Sequence, residues 1–372
     1  MARLVAAFGS SHSIMLVAQR EDWQHQFRLA DTKNPHLYDK AGNKTDYAQL
    51  LAGMSEADRA RAAALTTPEK LGDLYDQAQT AMDEVKRRIA AAKLDVLIIV
   101  GDDQTELFRT SNNPAFAIYY GKTIRNTARE AAAPGRPKQG TAPLGGSEPH
   151  AVGSVGAKSS AAPGDAWVKS ARMWRHEPEV DRDYPVKSDL AEWLIRQLCD
   201  RDFDITAMDG LERGQSEGHA FQFIHRRLLD GGPNGNAGTL PVIPIILNTF
   251  DPPNQPTPKR CVALGAALRE LVAQWPQDLR VGVIASGGLS HFVVDEELDQ
   301  KIITAIRNKD TATLAGLNPK HLQAGSSEIR NWLVTAEMAR ELDVEWVQYL
   351  PGYRSDALTG TGLCFAAWEV LT

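Results

Sequence analysis

The chain has 372 residues, enough for one large α/β domain or two ordinary ones. Its hydrophobic content of 43% and charged content of 24% are those of a globular protein with ample core. A net charge of -6 leaves no basic footprint for nucleic acid, and no apolar run reaches the ~18 residues needed to span a membrane. The opening, Met1 to Phe8, is too short before Gly9 to read as a signal peptide, so residues 3–8 are expected to form a first strand. Cys199, Cys261 and Cys364 make no CxxC pair, which points to a reducing compartment, the cytoplasm by default, and away from a structural zinc knuckle.

In chain order, the loop Gly9-Ser-Ser-His12-Ser13 ends the first strand and places a histidine where a ligand can sit. Taken alone, a capping or core histidine explains it equally well. Residues 19–60 are polar and aromatic and read as short helices and loops. Thr67-Pro68-Glu69 opens a helix, and Leu71, Leu74, Tyr75, Ala78, Met82, Val85 and Ile89 continue it at helical spacing to about Ala92. Leu94 to Val100 is a buried strand that runs into Gly101-Asp102-Asp103-Gln104-Thr105-Glu106. Adjacent acids repel unless a cation or hydrogen-bond donors sit among them, so this strand end is a candidate functional segment.

Residues 131–165 are rich in Gly, Pro, Ala and Ser without periodicity, and read as a surface insertion within the domain. Beyond it, strands are expected at 205–208, 241–247 and 279–285, with helices from Ser188, Lys259, Asp295 and Ser326. Tyr349 to Tyr353 reads as a loop, and Gly360 to Phe365 as the last strand. The alternation predicts a single α/β domain over 1–372, with a central mostly parallel or mixed sheet and helices on both faces. No Walker, HExxH, GxSxG or EF-hand pattern is present. What recurs at strand ends is a polar set: His12, Asp103-Gln104, His219, His291 and Glu328.

Five segments carry a family resemblance. They are Gly9-Ser-Ser-His12-Ser, Gly101-Asp-Asp-Gln104, Glu217-Gly-His219-Ala-Phe, Ser286-Gly-Gly-Leu-Ser-His291 and Gly325-Ser-Ser-Glu328-Ile-Arg-Asn-Trp332. With them the chain resembles the class III extradiol ring-cleavage dioxygenases of the LigB type. Its opening and its Gly-Asp-Asp-Gln-Thr-Glu-Leu-Phe stretch look closest to the branch named for 3-O-methylgallate dioxygenases. The resemblance implies Fe(II) held by two histidines and one glutamate, with open positions for a catecholate and O₂. It also implies a small aromatic diol as substrate and a homo-oligomer.

By motif, His12 would be the first ligand and Glu328 the carboxylate. His291 would move the substrate's hydroxyl proton, and His219 would be a second acid/base or a substrate contact. The family's second histidine falls on Gln104, so Gln104 or its neighbour Asp103 is expected to complete the metal site. That departure keeps two other readings open: a non-catalytic relative that binds a small molecule or partner, and a metal-dependent hydrolase.

Overall fold

Every residue of the strand Val96–Asp102 is buried, so each face of its sheet carries a covering layer. Val96, Ile98 and Val100 point into one layer, and Leu97 and Ile99 into the other, with the two-residue period of an extended chain. The helices Ser188–Cys199, Pro258–Gln274 and Ile329–Met338 build the first layer. Pro68–Ala91 and Asp22–Asp31 build the second. Thr67 and Thr257 cap their helices by accepting the Lys70 and Arg260 backbone N–H groups, each with proline in the first turn.

The computed structural model describes residues 1–109, 111–127, 181–230 and 238–371; the insertion expected at 131–165 lies outside the described residues. The strands are β1 (Arg3–Ser10), β2 (Val96–Asp102), β3 (Phe116–Tyr119), β4 (Thr123–Asn126), β5 (Arg182–Pro185) and β6 (Thr206–Met208). They continue with β7 (Val242–Leu247), β8 (Arg280–Ser286), β9 (His291–Val293), β10 (Val344–Tyr353) and β11 (Thr359–Trp368). Nine of them form one sheet in the order β10-β11-β1-β8-β2-β7-β3-β6, with β9 against β11; β4 and β5 pair separately. The centre, β1-β8-β2-β7, is parallel, while β11 runs antiparallel to β1 and β3 antiparallel to β7. The protein is therefore an α/β fold with a mixed central sheet.

One element departs from expectation. Tyr349 to Tyr353 is no loop but the end of β10, paired along its length with β11. Pro351 and Gly352 gave it a loop-like composition. Because β10 is the sheet's edge strand, a proline there removes no bond from a central ladder. Among the described residues, no helix is long and apolar enough to cross a membrane.

Three neighbouring parallel strands decide where the chemistry sits. The carboxyl ends of β1, β8 and β2 lie side by side, and bring Ser10 to His12, Ser286 and Asp102 to one edge of the sheet. Trp332, on the helix crossing that edge, lies over Gly9 and donates its indole N–H to the Gly287 carbonyl at 2.8 Å. A methyl group on Gly9 would meet the Trp332 ring at 2.2 Å. Gly9→Ala should therefore destabilise the fold by about 1–3 kcal/mol, seen as a fall in Tm of a few degrees. An unchanged Tm would show that the helix yields freely, against the tight packing described here.

Candidate metal centre

His12 leaves the end of β1 with its ring orientation set by β8. The Ser286 hydroxyl donates to the Ala220 carbonyl at 2.8 Å, so it accepts from His12 Nδ1–H at 3.0 Å. Nε2 of His12 then carries a lone pair. His219 opens the short helix His219–Phe223, and Glu106 holds it twice. The same carboxylate oxygen accepts the His219 backbone N–H at 3.0 Å and its Nδ1–H at 2.6 Å. The two rings meet edge to face, and their Nε2 atoms stand 3.1 Å apart.

Two carboxylates close the group. Asp102 is the last residue of β2. Glu328 ends the turn Ala324–Glu328 that leads into Ile329–Met338, and it accepts the Gly288 N–H at 2.8 Å. Glu328 lies 3.4 Å from His12 Nε2; Asp102 lies 3.8 Å from His12 Nε2 and 3.9 Å from His219 Nε2. One donor atom from each of His12, Asp102, His219 and Glu328 falls within 4.8 Å of every other. Asp102 is further held by the side-chain amides of Asn331, at 3.1 Å, and Gln104, at 3.2 Å.

The electrostatics follow from this crowding. Burial, and then the charge of Glu328, push the Asp102 carboxyl up. Against the cost of burial, His12 and His291 hold the Glu328 carboxyl well below the usual range. Against the same cost, Glu106 raises His219 to about 10. Two Nε2 atoms cannot face each other at this distance as bare lone pairs. Either a proton on His219 bridges them or a cation replaces that proton.

His291 stands beside this group and in a different state. The turn before it depends on Gly287, at φ +149°, and on Gly288, where a methyl group would meet the His291 ring at 2.3 Å. Ser326 accepts the His291 N–H at 2.8 Å and donates to its carbonyl at 2.6 Å, which locks the Ser286–His291 and Gly325–Glu328 segments together. Nδ1–H donates to the Leu289 carbonyl at 2.9 Å, and Nε2 lies 3.7 Å from Glu328. Burial lowers the His291 pKa, against the pull of the Glu328 carboxylate. A small cleft opens on the His291 side, lined in part by Tyr38, His321 and Gln323.

The structure brings His12 and Glu328 together, and sets His291 beside the group of four. It departs from expectation at Asp103. Asp103 is turned away: its carboxylate accepts the backbone N–H groups of Thr105, Glu106, Leu107 and Phe108, and so builds the following turn. The Gln104 side-chain amide donates to Asp102 at 3.2 Å. Asp102 is the carboxylate of this segment that converges with His12, His219 and Glu328. The period of β2 carries the signal for it: Ile98 and Val100 face the helix Ile329–Met338, and Asp102 continues their series. His219, expected as an acid/base or substrate contact, faces His12 inside the group. Glu106, its partner, went unsingled because nothing local links residues 106 and 219.

Residues 169–362 match the family model described as "Catalytic LigB subunit of aromatic ring-opening dioxygenase". Two curated relatives share shorter stretches. The gallate dioxygenase of Pseudomonas putida is 30% identical over 96 residues, covering 21% of this chain and 26% of that protein. The 2,3-dihydroxyphenylpropionate/2,3-dihydroxicinnamic acid 1,2-dioxygenase of Comamonas testosteroni is 36% identical over 106 residues, covering 28% of this chain and 30% of that protein. The chain spans less than a third of the length of either relative.

Glu106 offers a direct check on the ligand geometry. Glu106→Ala removes the acceptor that orients His219, and should weaken binding of a divalent metal by about 10–100-fold, measured by competition with a chromophoric chelator. Glu106→Gln keeps a carbonyl acceptor and should lose less. Equal affinity in all three proteins would place His219 outside the metal site.

Proposed function

The chain belongs to the family of the catalytic LigB subunit of aromatic ring-opening dioxygenase, and from that membership we propose that it opens the ring of a catechol or gallate-like compound with O₂. The names of the two relatives support an aromatic diol, and 3-O-methylgallate falls within that class. The observation that carries the reading is the convergence of two imidazole nitrogens and two buried carboxylates on one point at the sheet edge. That donor set fits a first-row divalent ion, and we assign it to Fe(II).

His12, Asp102, His219 and Glu328 would hold the ion. Bound there, iron would supply Lewis acidity toward a phenolic oxygen and the one-electron chemistry that O₂ requires. The remaining work belongs to the chain. Ser286 and Glu106 fix the two imidazoles in the tautomer that turns Nε2 inward. His291, neutral and clamped by Ser326 and Leu289, takes the proton of a substrate hydroxyl at Nε2. His219, held by the Glu106 carboxylate, and His291, whose pKa burial lowers, are thus prepared differently.

The test is O₂ uptake by protein reconstituted with Fe(II) without air, using catechol, gallate and 3-O-methylgallate. Stoichiometric uptake with a ring-opened product is expected for at least one; no uptake with iron bound would contradict the activity. His291→Ala should keep its iron and lose turnover by ~10²-fold or more. An undiminished rate, or loss of the metal, would count against the proton-transfer role.

A further inference from the structure

The donor set holds one residue too many for the reaction. Two histidines and one carboxylate leave an octahedral ion with three open positions, enough for both oxygens of a diol and for O₂. Here a second carboxylate, Asp102, stands within reach of the same point. With all four residues bound, a diol and O₂ cannot both enter.

One of the four must give way, and the hydrogen bonds single out which. His12 is fixed through Ser286, and His219 is fixed twice by Glu106. Glu328 lies nearer His12 than Asp102 does, 3.4 against 3.8 Å, and its place is set by the Gly288 N–H in the glycine turn. Asp102 alone has a side-chain amide on each oxygen, Asn331 at Oδ1 and Gln104 at Oδ2. A buried carboxylate released from a cation needs such donors, or it bears the full cost of desolvation. Those two amides supply them.

We infer that Asp102 is a displaceable ligand. It completes the site in the resting protein and withdraws onto Gln104 and Asn331 when a diol binds with both oxygens. The inference rests on the iron-dioxygenase reading above. It also gives a purpose to Gln104: the amide receives the departing carboxylate and does not itself bind the metal. The added carboxylate keeps the resting site neutral, two negative charges against a divalent ion, so the metal is retained without substrate.

The experiment uses the full chain, loaded with Fe(II) without air and titrated with 4-nitrocatechol, whose absorption reports chelation. In Asp102→Asn no carboxylate has to leave, so 4-nitrocatechol should bind about 10-fold more tightly than to the unaltered protein. Fe(II) itself should bind about 10-fold more weakly. Gln104→Leu, which removes one receiving amide at a partly exposed position, should weaken 4-nitrocatechol several-fold and leave Fe(II) affinity within about twofold. If Asp102→Asn binds 4-nitrocatechol no more tightly, or Gln104→Leu leaves its affinity unchanged, Asp102 does not yield and the inference is overturned. Should Asp102→Asn fail to fold, Gln104→Leu decides alone. An unaltered protein that takes up no Fe(II) would instead overturn the dioxygenase reading itself.

Discussion

Two imidazole nitrogens facing each other across 3.1 Å, with two buried carboxylates beside them, form the constraint on which this structure depends. Such a group is costly to assemble from side chains alone, because like lone pairs repel and buried charges lose their water. It persists because each member is tied from outside: His12 by Ser286, His219 by Glu106, Glu328 by Gly288, and Asp102 by Asn331 and Gln104. For the two histidines the ties are made at Nδ1 and leave Nε2 turned inward.

The fold explains why those ties are available. β1, β8 and β2 are adjacent and parallel, so three strand ends contribute to one point. The helix Ile329–Met338 crosses that edge and brings Glu328, Asn331 and Trp332 from its first turn. His291 is placed by a different device. It begins β9, pairs with Thr361 of β11, and shares two hydrogen bonds with Ser326. Ser290, just before it, gives both its N–H and its hydroxyl to Asp299, which also accepts the Tyr349 hydroxyl. His291 thus rests on the buried network of Ser290, Asp299 and Tyr349, and shares Ser326 with the segment that carries Glu328.

The buried strands were legible because continuous β-branched runs such as Val281 to Ala285 fit little else, and the helix Pro68–Ala91 because its apolar stripe keeps a helical period. His12, His291 and Glu328 were legible through the motifs around them. The choice between Asp102 and Asp103 was not, since it turns on which face of β2 a residue occupies at the point where the strand ends. One step in register exchanges a carboxylate that converges with His12 and Glu328 for one that accepts four backbone N–H groups. The contacts of His219 were hidden for another reason: its neighbours in space, His12 and Glu106, lie 207 and 113 residues away in sequence. The edge strand β10 was masked by the loop-like composition of Pro351 and Gly352.

The central claim is that these four residues form the metal centre, and location is its most direct test. Crystals of protein reconstituted with Fe(II), measured on both sides of the iron absorption edge, should show one anomalous peak per chain, bounded by His12, Asp102, His219 and Glu328. A peak elsewhere, or none at this cluster in protein shown to carry iron, would contradict the account.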